Sequence, residues 1–383
     1  MQMSDTKRIA FITGTRAEWG LLSPVAKALA ATDGIDVKIV ATNMHLMPRY
    51  GNTVDEIVAD GFDVAERVPM DDTDGSELRT VEVMAQCLKG MAEAFDRLKP
   101  DRVVILGDRF EMLSAATAAL MMRIPIIHIA GGETTLGAID DSIRHAITEM
   151  SWLHLTATEP YRRRVIAMGA APERVINTGA IGVYNALNEP LMSRDELAAS
   201  VGLDFERPTL LVTYHAATAD DRSPVEQFQA LLDALDRHGD VDVLITYPNN
   251  DPRGGGLVTL IEQWVKANSH RAVGIPSLGK TRYLSVLRYV DAVVGNSSSG
   301  IVEVPSMHIP TVNIGTRQEG RISGESVVHC GVTADEIDRA IAYALSDEGR
   351  EKARRAANPY YRPDTLGVMV KAITDTPYTG STS

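Results

Sequence analysis

Short β-branched runs alternate with amphipathic helix patterns along this chain, and each run closes on glycine or a polar residue; no other feature limits its fold so sharply. RIAFITGT, DVKIVATN, RVVILGD, IPIIHIAGG, LHLTA and RVINTG succeed one another in the first half, and PTLLVTYH, VDVLITYPNND, DAVVGNSSSG and PTVNIGTRQEGR in the second. Apolar runs separated by helices are what a parallel sheet covered on both faces requires. At 383 residues the chain exceeds what one core usually supports. The reading is an α/β protein of two doubly wound, Rossmann-like domains facing each other across a cleft. The expected boundaries are 1–182 and 190–358, joined through a relaxed linker at GVYNALNEP, with a last helix in 359–383 expected to pack back on the first domain.

Composition narrows the class. Hydrophobic residues make up 44% and charged residues 23%, ordinary for a globular protein, and no apolar run approaches membrane-spanning length. MQMSDTKR leads straight into IAFIT without the pattern of a signal peptide, and Cys87 and Cys330 stand apart without metal or disulfide spacing. A cytoplasmic protein is expected. The net charge of -13 argues against nucleic acid or an anionic membrane as partner, so an anionic substrate must be met by local arginines and helix N-termini.

Ligands of open α/β sheets bind beyond the carboxyl ends of the strands, which directs attention to the run ends. IPIIHIAGGETTLGAIDDSIRHAITEM carries His128, Glu133 and then a helix with Asp140, Asp141, Arg144 and His145, whose spacings of three and four put them on roughly one face. The preceding run ends in Gly107, Asp108, Arg109, Phe110 and Glu111, where Asp108 reads either as an N-cap or as a second functional carboxylate. Thr13 to Arg16 form a turn that could cradle a phosphate or sugar, although a plain strand-to-helix turn is the more common explanation. His45 reads as a packing histidine and the RRR run at 162–164 as a solvated helix face. In the second half the run ends hold His215, Asn249, Asn296 to Ser299, Arg317 and Arg321. GNSSSG opening a helix through IVEV suits a pyrophosphate, with Ser capping as the plainer reading, and Glu303 is placed to accept from ribose hydroxyls. Acids on one wall and hydroxyls, amides and arginines on the other suit an enzyme of nucleotide sugars.

GDRF at 107–110, HIAGGE at 128–133, IDDSIRHAIT at 139–148, GNSSSG at 295–300 and NIGTRQEGR at 313–321 resemble the hydrolysing UDP-N-acetylglucosamine 2-epimerases, over nearly the whole chain and in matching order. These enzymes supply N-acetylmannosamine or related sugars for sialic and legionaminic acid synthesis. The resemblance implies the GT-B-like fold shared with many glycosyltransferases. It places Asp108, Asp140, Asp141 and Arg144 at active-site positions, and Arg16, Arg109, His215, Asn249, Ser297, Ser298, Glu303 and Arg317 at nucleotide-diphosphate positions. Some relatives carry glutamate where this chain has Ala130, a role that Glu133 is expected to assume.

The chemistry such a reading requires is elimination followed by hydration. As the bond from C1 to the diphosphate breaks, a carboxylate removes the C2 proton to leave a glycal, while arginines and N–H groups stabilise the leaving group. A proton then reaches C2 from the other face and water adds at C1, so two carboxyls in different protonation states are needed. Neither NAD nor a metal is expected, and a homo-oligomer is. The rivals are a glycosyltransferase, a non-hydrolysing epimerase and a nucleotide-sugar sensor. A UDP- or GDP-linked 2,4-diacetamido-2,4,6-trideoxy sugar is the alternative substrate.

Overall fold

The structure is a computed structural model that describes residues 6–48, 51–71, 76–135, 139–216, 223–248 and 256–377. Asn249 lies outside them. The chain divides into two compact units: the first takes the described residues of Met1–Glu133, Ile139–Ile181 and Arg362–Ser383, the second those of Thr134–Ala138 and Gly182–Tyr361.

In the first unit seven strands run in parallel: β1 (Lys7–Thr13), β2 (Ile35–Thr42), β3 (Val64–Val68), β4 (Arg102–Leu106), β5 (Ile126–Ile129), β6 (Leu153–Thr156) and β7 (Val175–Asn177). Their order is β3-β2-β1-β4-β5-β6-β7. The direction of winding reverses between β1 and β4, which opens a crevice at their carboxyl ends. RVVIL forms β4 because helices cover it on both sides, leaving every residue of it buried. Each Val, Ile or Leu so removed from water contributes about 1.5–3 kcal/mol.

The helix Glu77–Leu98 begins at Ser76, whose hydroxyl accepts from Arg79 N, and stops where Lys99 turns left-handed ahead of Pro100. The helix Thr365–Asp375 lies against Arg16–Ala30 in the first unit. Lys7 Nζ donates to Thr374 O at 3.2 Å and the Arg102 guanidinium to Ile373 O and Thr376 O, cations set where the helix dipole is negative.

The second unit repeats the plan with β8 (Thr209–Thr213), β9 (Asp242–Thr246), β10 (Ala272–Ile275), β11 (Ala292–Gly295), β12 (Thr311–Ile314) and β13 (Val327–Cys330), ordered β10-β9-β8-β11-β12-β13. Its reversal point lies between β8 and β11. Alternate residues serve opposite faces: Leu210 and Val212 join one apolar cluster with Phe228 and Ile341, while Leu211 joins another with Leu197 and Leu287.

Two local expectations are overturned. GVYNALNEP is not a relaxed linker: Ile181–Asn188 is a helix, with Val183, Asn185 and Ala186 buried along it, and it ends ahead of Pro190. The helix expected through IVEV is a single turn, Ser299–Val302, replaced by a 3-10 turn over Val304–Met307. Pro305 lacks the N–H that a continuing helix would use.

Candidate active site

The turn after β1 is closed by its own helix. Thr15 caps Arg16–Ala30 in a capping box: Glu18 N donates to Thr15 Oγ1 at 3.2 Å, and Glu18 Oε2 accepts from Gly14 N at 2.7 Å and Thr15 N at 3.1 Å. Those donors are therefore engaged with Glu18, which favours the plain strand-to-helix turn over a phosphate cradle. Arg16 stands exposed on the first turn of that helix.

Successive residues after β4 send their charges to opposite sides. Asp108 pairs with Arg144, and Arg144 Nη1 reaches Asp141 Oδ1 at 3.3 Å. Asp108 is not the cap of the following helix; Arg109 holds that position and makes no capping bond with its side chain. Arg109 turns the other way, with Nε 2.6 Å from Glu111 Oε1 and 3.8 Å from Glu18 Oε1. The charge of Asp140 also acts on Arg109. Asp140, Asp141, Arg144 and His145 on the helix Ile139–Met150 do not share one environment: Arg144 is 3% exposed, Asp140 lies in solvent, and Asp141 also meets His145 at 3.8 Å.

The Gly-Gly-Glu turn is held from below. His128 is fully buried; Nε2 lies 2.8 Å from Gly107 O and Nδ1 3.2 Å from Thr148 Oγ1, which ties the ends of β4 and β5 to the Ile139–Met150 helix. Burial pushes its imidazole down to about 4, so it is a neutral strut. A side chain at Gly131 would come within 2.9 Å of that ring, which explains the glycine. Ala130 adopts a left-handed φ of 65° and donates its N–H to Leu155 O at 3.0 Å. Arg164 Nη1 donates to Gly132 O at 2.9 Å. Arg162 Nε likewise donates to Val175 O, so of the RRR run Arg163 alone matches a purely solvated reading. Glu133, next in the chain, is 7% exposed.

In the second unit the reversal point is clasped by Asn296, 1% exposed at the end of β11. Its Oδ1 accepts from His215 N and its Nδ2 donates to His215 O, both at 2.8 Å. Its own carbonyl accepts from Arg317 Nη1 at 3.0 Å and Gln318 Nε2 at 2.9 Å. Gly295 precedes it because a Cβ there would fall 1.9 Å from Thr213 O. Burial, then the nearby Arg317, pushes His215 down to about 4, so it offers a neutral ring. Ser298 sits at the N-cap of the one-turn helix but its hydroxyl makes no capping bond, which removes the plainer reading of that serine. Ser299 accepts from Tyr283 Oη at 2.7 Å. Glu303 lies against Gly182, where a Cβ would fall 2.1 Å from Oε1.

Sequence reasoning named Asn296 without its clasp and missed the buried pair Glu18 and Glu111. The T-x-x-E spacing from Thr15 to Glu18 was a signal for the first. Among the described residues no group of three or more His, Cys, Asp or Glu side chains could hold a metal ion, and no helix is long and apolar enough to cross a membrane.

Residues 27–374 match the family described as UDP-N-acetylglucosamine 2-epimerase. The chain belongs to that family. Among UDP-N-acetylglucosamine 2-epimerase family members, a hydrolysing GDP/UDP-N,N'-diacetylbacillosamine 2-epimerase of Campylobacter jejuni is 34% identical over 345 residues, covering 90% of this chain and 89% of the relative. A polysialic acid biosynthesis protein of Escherichia coli is 35% identical, covering 96% and 94%. A hydrolysing UDP-N,N'-diacetylbacillosamine 2-epimerase of Legionella pneumophila is 34% identical, covering 89% of each chain. The UDP-GlcNAc 2-epimerase of Neisseria meningitidis, solved bound to UDP-GlcNAc, shares the fold with a TM-score of 0.82 at 16% identity over 96% of this chain and 99% of that one. This family member is an enzyme, a hydrolysing 2-epimerase with two parallel Rossmann-like sheets of the GT-B-like kind.

Proposed function

We propose that the chain epimerises and hydrolyses a nucleoside-diphosphate-linked 2-acetamido sugar by elimination across C1 and C2 followed by hydration, and that the sugar is a 2,4-diacetamido-2,4,6-trideoxyhexose. The observation that carries the reaction is the buried Arg144 between Asp108 and Asp141, beyond the carboxyl ends of β4 and β5. In this reading Asp108, Glu133, Asp140 and Asp141 supply the C2 base and the opposing acid, and Arg144 holds Asp108 and Asp141 in place. Arg16, Arg109, Arg317, Ser297, Ser298 and Asn249 hold the nucleotide diphosphate. His215 contributes a hydrogen bond without charge, and Glu303 accepts from the ribose. The choice of sugar rests on the relatives of Campylobacter jejuni and Legionella pneumophila, both 34% identical and both named for diacetylbacillosamine.

N-acetylglucosamine, the sugar expected first from sequence, is the second reading. It is favoured by a UDP-N-acetylglucosamine 2-epimerase of Neisseria meningitidis, 31% identical over 341 residues. Comparing kcat/KM on UDP- and GDP-linked diacetamido sugars with UDP-N-acetylglucosamine decides between them. A preference of about tenfold or more for a diacetamido nucleotide is expected, the discrimination a site gains from a group it is built to bind. The opposite preference assigns N-acetylglucosamine, and no turnover of any of the three overturns the epimerase reading. A homo-oligomer is part of the proposal. Leu78, Val81 and Leu88 lie 70%, 62% and 37% exposed on the helix Glu77–Leu98, and Met121 is 71% exposed on the helix packed beside it, an apolar face that a second copy would cover.

A further inference from the structure

Glu18 and Glu111 form a buried pair of carboxyls around one guanidinium at the reversal point of the first sheet. Glu18 is 7% exposed and Glu111 fully buried, and both carboxyls flank Gly14, where a Cβ would fall 2.6 Å from Glu111 Oε1. Asn43 Nδ2 donates to that same oxygen at 2.8 Å. Glu18 Oε1 and Glu111 Oε2 are buried without a hydrogen-bond partner. Two carboxylates against one cation would leave an uncompensated buried charge, which a bound proton removes. The distances say where it sits: Arg109 is 2.6 Å from Glu111 and 3.8 Å from Glu18, and Glu18 Oε2 is taken by two N–H groups, so the proton belongs on Glu18 Oε1.

We propose that Glu18 and Glu111 are positioning residues for the substrate diphosphate: together they hold one proton and one guanidinium, and this keeps Arg109 both oriented and electrostatically able to receive an anion. The proposal rests on the reading that Arg109 contacts the diphosphate. With Glu18 neutral, Arg109 faces a single carboxylate and an arriving anion meets a site of no net charge. Once Glu18 ionises, two carboxylates surround the same guanidinium and repel the anion.

Burial, then the charge of Glu111, pushes Glu18 up to about 8, so the change falls in an accessible range. Two titratable neighbours of the pair stay put there. Cys87, whose Sγ meets Glu111 O at 3.8 Å, is pushed up to about 12 by burial, and His45, beside Thr13 at 3.0 Å, is pushed down to about 4 by burial. Asp140 acts on Arg109 from the Ile139–Met150 helix, Arg16 is exposed on the Glu18 helix, and Asp108 precedes Arg109 in pairing with Arg144.

The test is calorimetry of UDP binding to the full chain between pH 7 and 9, in buffers of different ionisation enthalpy, for the wild type, Glu18→Gln and Arg109→Ala. The wild type is expected to lose about fivefold in affinity across that range and to take up about half a proton on binding at pH 8.5, as for a group whose pKa binding raises by about one unit. Glu18→Gln, permanently neutral and able to accept the same N–H bonds, should bind with the wild type's pH 7 affinity throughout and take up less. Wild-type binding without proton uptake overturns the proposal, with no variant required. So does a Glu18→Gln protein that keeps the wild-type pH dependence. If Arg109→Ala leaves UDP affinity unchanged, the reading of Arg109 fails instead.

Discussion

Asn296 holds His215 by both of its backbone polar atoms, accepting the N–H and donating to the carbonyl at 2.8 Å across 81 residues of chain. The clasp joins the ends of β8 and β11, so one amide side chain fixes where a binding residue projects. Asn296→Ala is expected to cost about 2–4 kcal/mol by leaving two buried backbone groups unpaired. Chemical denaturation measures the loss, and UDP affinity should fall with it. Stability within experimental error of the wild type would show that the clasp is not needed.

The acids make a sharper prediction. Asp108→Asn, Glu133→Gln and Asp140→Asn should each lower kcat by about a hundredfold or more with UDP affinity nearly intact, the effect of losing a positioned acid or base. Glu133 is the discriminating member, because Ala130 carries no carboxylate. A Glu133→Gln enzyme with wild-type kcat would assign the second acid to Asp141 or another group.

Arg164 and Arg163 are neighbours with different work. Arg164 donates to the carbonyl of Gly132, immediately before Glu133, whereas Arg163 is 76% exposed and meets Glu159 at 3.5 Å. Arg164→Ala should reduce kcat by about tenfold or more through displacement of the turn, and Arg163→Ala should leave it unchanged. Steady-state kinetics on both variants separates the two, and equal effects would remove the role given to the Gly132 contact.

The first unit should be the more sensitive to acid. Burial holds His45 and His128 near 4 and His154 near 3, and His154 Nδ1 is buried without a partner. Unfolding releases these rings to titrate near 6.5, so between about 6.5 and 4 the unfolded chain binds more protons and stability falls as pH falls. Each ring contributes about 1.4 kcal/mol per pH unit in that window. Glu18 acts in the opposite sense, since its folded pKa is raised: its contribution is present below about 4.5 and is lost as pH rises through about 8. Across pH 7 to 5 the net fall in the first unit's stability is about 3 kcal/mol, because the three rings together outweigh Glu18. Denaturant midpoints measured from pH 7 to 5 should show it, with His154→Leu flattening it by the worth of one ring. A slope unchanged in that variant would contradict the account.

The meeting of Asp108, Asp141 and Arg144 is readable in the sequence because the relevant spacing is local. Asp141 and Arg144 are three apart on a helix, and Asp108 ends the strand beside the one that leads there, so their proximity followed from the doubly wound plan. Partnerships set by the fold were not readable. Glu18 and Glu111 are 93 positions apart and meet only because β1 and β4 are neighbours across the reversal point. The helix Ile181–Asn188 is not legible because its eight residues are too few to set a periodic pattern, with Val183 and Ala186, three apart, as its buried apolar pair. The short turn at Ser299–Val302 was overextended because Pro305 lies just beyond the run that looked helical.

Elimination and rehydration at C2 is the central claim, and the hydrogen at that carbon reports on it directly. The enzyme is incubated with its preferred sugar nucleotide in heavy water and the products are followed by NMR. The account predicts free 2-epimerised sugar carrying deuterium at C2, with nucleoside diphosphate in equal amount. Free sugar of unchanged configuration that retains protium at C2 would mean simple hydrolysis, and deuterium in an intact sugar nucleotide would mean epimerisation without hydrolysis; either result contradicts it.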